Sequence, residues 1–211
     1  MPLFEPLAIA GITLRNRIVV SPMCEYSAVD GVPDDWHLVH LGSRAVGGAA
    51  LVFTEATAVL AEGRISPADL GIWSDAHVEP LARCAHFIAR QGAIPAIQLA
   101  HAGRKASTAV PWRGHGPVSE SEGGWRPVVG PSPIPFADGY PVPAALDSDG
   151  LRRVICALPG PFKRLVCDLI ACTVYLPLRT LARAAKTMGV KGWRRLPLRY
   201  SRHPRHTSPR A

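Results

Sequence analysis

Two apolar runs of strand length, Ala50-Leu51-Val52-Phe53-Thr54 and Ile94-Pro95-Ala96-Ile97-Gln98-Leu99, flank a segment of helical rather than strand periodicity. In that segment, about Asp75 to Gln91, Val78, Leu81, Ala85 and Ile88 share one face and Gly92 supplies a stop. A strand, a crossover helix and a second strand together predict a parallel sheet. The same rhythm begins earlier in the chain. Ile18-Val19-Val20 reads as a short buried strand, about 17–21, halted at Ser21-Pro22 because proline has no N–H for a ladder. A helix then follows over Trp36 to Val46, with Asp35 as its N-cap and Gly47-Gly48 as its stop. Leu3 to Leu14 reads as a small hairpin turning at Ala10-Gly11, and Ala56 to Trp73, with Gly63, Pro67 and Gly71, reads as loop.

Beyond the third strand the text changes character. From His101 to Leu146 it is rich in Gly, Pro and Ser, and a loop of that length inside a compact domain is usually functional. Asp147-Ser148-Asp149-Gly150 opens another helix by its acidic start, which Pro159-Gly160-Pro161 should break. Charge divides at the same place. Residues 1–150 hold 10 Lys+Arg and 15 Asp+Glu, a balance of −5, whereas residues 151–211 hold 14 Lys+Arg and one acid, Asp168, a balance of +13. Together these make the net charge of +8. Two units are therefore expected: residues 1–150, and a basic tail over residues 151–211.

Five cysteines without regular spacing do not suggest a disulfide framework. Met1 to Glu5 lacks the basic start and apolar run of a signal peptide, and Leu165 to Leu178 is too short to span a bilayer, so a reducing cytoplasm is expected. No Gly-x-Gly-x-x-Gly follows a strand, which argues against a Rossmann nicotinamide domain, and there is no P-loop.

The segment after the first strand, Ser21-Pro22-Met23-Cys24-Glu25-Tyr26, sits where parallel α/β sheets build their sites, beyond the carboxyl ends of strands. Taken alone, Cys24 reads as a small buried apolar residue and Tyr26 as a rim aromatic. Gln98 reads as a polar residue capping a strand end. His37 and His40 have metal-like spacing on one helical face, but no third ligand of suitable spacing accompanies them, and no metal site is predicted. His101 is a general-acid candidate by position. Arg104 and Lys105 are candidates for a phosphate or for a solvated pair.

Taken together, Asn16 to Cys24, Asp35-Trp36-His37, Phe53-Thr54-Glu55-Ala56-Thr57, Glu62-Gly63-Arg64-Ile65 and Gln98 to Lys105, in that order, resemble the N-terminal part of the old yellow enzyme family. The Cys24 and Tyr26 pair is similar to its bacterial NADPH dehydrogenase or ene-reductase branch. The resemblance runs from about Leu3 to Gly150. It implies a TIM (β/α)8 barrel of which about the first three β/α units are encoded, followed by a non-homologous basic tail. It implies FMN as cofactor, NADPH or NADH as electron donor, and a small-molecule alkene of enone type as substrate. On this resemblance Ser21, Pro22, Met23, Cys24, Ala56 and Gln98 contact the flavin, with the Cys24 sulfur tuning its potential, and Tyr26 reaches the substrate. Gln98 suits the pyrimidine edge chemically, since one amide offers both a donor and an acceptor. His37 then belongs to the Asp-Trp-His motif, and His101 to the structural frame or the rim. The long loop would lie over the flavin edge, and the resemblance allows a homo-oligomer for the full-length family.

The family's substrate-binding His pair, its flavin arginine and its phosphate-binding segment come from later strands. No such pair is found beyond Gly150, where His203 and His206 sit in an Arg/Pro text, so no catalytic residue is assigned. The tail is read as the product of a shifted or truncated reading frame near Cys156. Two further readings are an inactive fragment of the enzyme and a non-catalytic protein whose tail binds nucleic acid or anionic membrane. The resemblance itself predicts no specific nucleic-acid partner and no transmembrane segment.

Overall fold

The computed structural model describes residues 2–9, 12–114, 116–157 and, for the backbone, 171–174. The Ala10-Gly11 turn, the Pro159-Gly160-Pro161 break, the side chains of Cys167 and Cys172, and both His203 and His206 lie outside the described residues.

Strands β1 (Leu7–Ile9) and β2 (Ile12–Leu14) pair antiparallel with Leu7 opposite Leu14, the expected hairpin. Strand β3 is Val19–Val20, shorter than the 17–21 expected. Helix α1 spans Asp35–Val46 and leads to β4, Leu51–Ala58. A 3-10 turn at Asp75–His77 runs into α2, Val78–Arg90, and then β5, Ile94–Ala100. The long connection that follows carries three 3-10 turns and a two-residue parallel pair, β6 (Val129–Gly130) with β7 (Ala144–Ala145). Helix α3 is Ser148–Ala157 and strand β8 is Ala171–Val174.

The main sheet has the order β3-β4-β5-β8, parallel throughout. A fourth parallel strand therefore joins the three expected, and it comes from the basic segment. The change of composition at Gly150 also falls inside α3, which continues to Ala157. Charge balance tracks surface chemistry, while helix continuation here follows the apolar face carrying the buried Val154 and Ile155.

Two apolar layers flank the sheet. On the helical side, Leu41 and Ala45 of α1 and Cys84 and Ile88 of α2 close over Val52, while Leu81 and Ala85 cover Ile97 and Leu99. On the opposite side, Leu14, Ala50, Leu51 and Ala96 form a smaller cluster with Leu7, Ile12, Phe53 and Ile94 packed against it. The hairpin thus plugs that face at the amino ends of the strands and leaves the carboxyl ends open.

Arg15 fastens this frame. Its guanidinium donates to the carbonyls of Gln91 (2.7 Å), Ala45 (3.0 Å) and Ala49 (2.8 Å), at the ends of α2 and α1. Terminal helix carbonyls lack intrahelical donors, and a cation there also meets the negative end of the dipole.

Two local readings need correction. The N-cap of α1 is Asp34, whose side chain accepts from His37 N–H while the His37 side chain takes the Asp34 N–H. A capping box needs its partner three residues after the cap, which selects Asp34 over its neighbour. Asp35 instead forms an exposed ion pair with Arg83 at 3.0 Å, joining α1 to α2. The second strand also continues to Ala58, so residues 56–58 are strand and not loop. The cause is a bulge: Phe53 pairs with Ala96 but Ala56 pairs with Gln98, three residues against two. The hydroxyls of Thr54 and Thr57 both donate to the Glu55 carbonyl there, at 3.1 and 2.9 Å.

Candidate functional site

The bulge decides which residues face the open side. Ahead of it, Leu51 and Phe53 lie on the hairpin side and Val52 on the helical side. A period-two strand would turn Glu55 and Thr57 to the open side. The extra residue resets the phase, so Ala56 takes that place beside Gln98. Gln98 alternates with Ile97 and Leu99, which are buried under α2, and so stands on the open face, half-buried. Among the described residues, no hydrogen bond engages its amide.

The segment leaving β3 crosses above this pair. Ser21 and Met23 are exposed and Pro22 and Cys24 are half-buried. The Cys24 thiol interacts with the Ala56 backbone and with the Tyr26 hydroxyl. Ala56, which the thiol meets, is registered against Gln98 in the neighbouring strand. Burial pushes the Cys24 thiol up to about 11, with the Glu55 and Asp69 carboxyl groups adding to it. Burial, with Cys24 next, raises Tyr26 to about 12. Both groups therefore hold their protons at neutral pH. Tyr26 occupies the left-handed region at φ 52°, a strained backbone for a residue with a Cβ.

Behind the segment lies a buried polar chain that sequence reading did not find. His37 is fully buried; its Nδ1 lies 2.7 Å from Asp34 Oδ1 and its Nε2 lies 3.2 Å from Glu55 Oε1. The other Glu55 oxygen accepts the Glu25 N–H at 3.2 Å. Burial pulls the His37 pKa down, but the hydrogen bonds to Glu55 and Asp34 outweigh it and the value is raised. Glu25 is pushed up to about 7, mainly by burial, with His37 opposing and Glu55 assisting. Its Oε2 is buried without a partner among the described residues, and its Oε1 is 3.7 Å from His40 Nε2. Burial keeps the His40 pKa low. The only advance signal was the capping pattern at Asp34 and His37, which says nothing of Glu55.

His101 accepts the Gly103 N–H at Nδ1 (3.1 Å), its Nε2 is buried without a hydrogen-bond partner among the described residues, and burial lowers its pKa. Arg104 and Lys105 are exposed, with the Lys105 ammonium 5.4 Å from the centre of the Phe136 ring. The long loop folds back on residues 61–69. The Arg64 guanidinium lies over the Trp73 and Trp125 rings at 5.2 and 4.9 Å, and the Trp125 indole N–H donates to the Glu62 carbonyl. Asp69, raised to about 6 chiefly by burial, accepts from Ile65 N–H, Ser66 N–H and the Ser66 hydroxyl.

Residues 2–125 match the NADH:flavin oxidoreductase / NADH oxidase family. The chain belongs to that family. Over 157 residues it is 46% identical to an NADPH dehydrogenase of Bacillus cytotoxicus, covering 74% of this chain and 41% of that relative. It is similar in structure to the old yellow enzyme homologue of Zymomonas mobilis, with TM-score 0.62, 27% identity and coverage of 82% and 48% of the two chains. The fold is also that of morphinone reductase, with TM-score 0.68, 24% identity and coverage of 82% and 49%. The chain thus spans about two fifths of the curated relative and about half of each of these solved chains. The resemblance to the old yellow enzyme family and its barrel fold holds over the N-terminal part. No helix among the described residues is long and apolar enough to cross a membrane.

Proposed function

We propose that the carboxyl ends of β3, β4 and β5 form one wall of an FMN site, used to pass hydride from NADPH or NADH to an activated alkene of enone type. What supports this reading is that the Cys24 thiol meets the Ala56 backbone while Ala56 is registered against Gln98 in the neighbouring strand. The residues present fit an isoalloxazine ring. The Ala56 side chain is small enough to leave a flat approach between thiol and amide. The Gln98 amide, unengaged among the described residues, offers a donor and an acceptor to the pyrimidine edge. Ser21, Pro22 and Met23 would line the ring's approach. The NADPH dehydrogenase relative supports NADPH as donor.

When bound, the flavin supplies the two-electron hydride carrier that no amino-acid side chain can provide. The protein's own groups then bind and orient. Cys24, kept as a neutral thiol, would offer the ring a polarizable sulfur without adding a charge. Tyr26, a phenol whose hydroxyl meets the Cys24 sulfur, would present its ring at the substrate edge. Glu55 and His37 hold the segment bearing both residues in place.

The test is titration of the purified full-length chain with FMN, followed by flavin fluorescence quenching and absorbance. Saturable one-to-one binding is expected, weakened about tenfold in Gln98→Leu. Absence of saturable binding would overturn the reading, as would binding that is indifferent to both Gln98→Leu and Cys24→Ala.

A further inference from the structure

The segment from Ser21 to Ser27 is fastened at both ends. Val20 is registered against Val52, and the Ala28 N–H donates to the Ala68 carbonyl at 3.0 Å. Between these points the backbone is neither helix nor strand. Midway, the Glu25 N–H is held by the Glu55 carboxylate, and the Glu25 side chain runs into the interior, only 5% exposed. Its Oε2 and the Ser27 hydroxyl are both buried without a partner among the described residues. Tyr26, between them, carries the left-handed backbone. Two orphaned oxygens and one strained residue leave this segment less firmly settled than the strand it leaves.

The charge of an ionised Glu25 is poorly compensated. On α1, His40 Nε2 is 3.7 Å from Glu25 Oε1, beyond hydrogen-bond reach. Burial, with Arg44 and His37 adding to it, keeps the His40 pKa low, so that imidazole is uncharged near pH 7. His37 is already shared between Asp34 and Glu55, and both of those carboxylates repel a third. Arg44 is exposed and donates to the Ser43 hydroxyl at 2.9 Å. On α2, the Cys84 thiol is raised to about 11, chiefly by burial, and stays neutral. Along the segment itself, Cys24 and Tyr26 also keep their protons.

We propose that Glu25 is a proton-released latch on this segment. With its proton the carboxyl stays in the interior, and the segment lies along the strand ends. When that proton passes to water, the carboxylate swings out to solvent and loosens the backbone that carries Cys24 and Tyr26. The interior carboxyl holds its proton up to about 7 against the ordinary 4.5, so ionisation favours the outward position. By linkage, the loosened share grows about a hundredfold between pH 4.5 and pH 8. The latch consists of this chain's own groups and needs no flavin, so it stands or falls apart from the FMN reading.

The experiment is peptide-resolved hydrogen exchange on the full-length chain without ligand, comparing the parent with Glu25→Gln at pH 4.5 and pH 8. Comparison at equal pH cancels the intrinsic pH dependence of amide exchange. Over residues 21–28 the two chains should agree within about threefold at pH 4.5, and the parent should exchange at least about tenfold faster at pH 8. In about 1 M urea, exchange of residues 21–28 at pH 8 should stay within about twofold, while that of α2 accelerates, because a local opening exposes little surface. Glu25→Met, which also carries no titrating proton, should behave as Glu25→Gln does, and cooperative urea unfolding reports that each variant folds. Equal rates in parent and variants at pH 8, or a difference just as large at pH 4.5, would overturn the proposal. So would exchange of residues 21–28 that follows α2 in urea, since Glu25 would then be released only by global unfolding.

Discussion

Glu55 and His37 meet in the interior with Oε1 and Nε2 3.2 Å apart, and neither side chain reaches solvent. One carboxylate thereby joins β4 to α1, and through its second oxygen it also holds the Glu25 amide beside Cys24. Removing one partner of a buried pair leaves the other uncompensated, at a cost of about 3–5 kcal/mol. His37→Phe should lose roughly that much at pH 7 by urea denaturation. In the parent, the raised His37 pKa stabilises fully below its ordinary 6.5, and that contribution is lost as pH rises through the folded value. A stability curve flat across that interval would refute the assignment.

Glu25 has the same pH sense, but from burial of a carboxyl group rather than from pairing. Its folded pKa of about 7 lies above the ordinary 4.5, so the folded chain keeps a proton that the unfolded chain releases. Stability from this residue therefore falls as pH rises from about 4.5 to about 7. Glu25→Gln should have a higher melting temperature than the parent at pH 8, and the gain should vanish near pH 4.5.

Cys24 should be a slow nucleophile. With its thiol raised to about 11, little thiolate is present near pH 8. Its alkylation by iodoacetamide, resolved by peptide mass spectrometry, should run at least tenfold slower than that of exposed Cys156. Glu55→Gln removes one of the carboxylates that raise it and should shift the rate profile to lower pH. Comparable rates at the two cysteines would contradict the burial of Cys24.

Arg15→Ala removes three donors from helix-end carbonyls. Bonds to a charged donor contribute about 1.5–3 kcal/mol each when well buried, and partial exposure here reduces the sum to roughly 3 kcal/mol. The urea midpoint should fall accordingly, and a change under 1 kcal/mol would show that water replaces the guanidinium freely.

Arg64→Lys tests the clasp between the long loop and residues 61–69. A planar guanidinium can face two indoles at once, whereas an ammonium cannot. A loss of about 1–2 kcal/mol and a changed near-ultraviolet dichroism of Trp73 and Trp125 are expected. Spectra identical to the parent would mean that the two rings are held without the cation.

The strands and helices were readable because each carries its own period within ten or so residues. Val78, Leu81, Ala85 and Ile88 declare a helix face wherever the rest of the chain lies, and the ordered motifs from Asn16 to Lys105 carried the family resemblance. Which of two adjacent aspartates caps α1 was already harder, because the deciding partner, His37, is not the Glu or Gln the usual pattern contains. Other features had no local signal at all. Residues 53–57 do not announce a bulge, yet the bulge puts Ala56 rather than Glu55 on the open face and frees Glu55 to reach His37. Arg15 finds carbonyls of residues 45, 49 and 91, and Glu25 finds His40, only once the backbone has brought them together. The fourth strand likewise depends on an edge of β5 being open for pairing. Periodicity is a property of neighbours along the chain, whereas strand phase and buried charge pairing depend on register between distant segments, which is settled only when they pack.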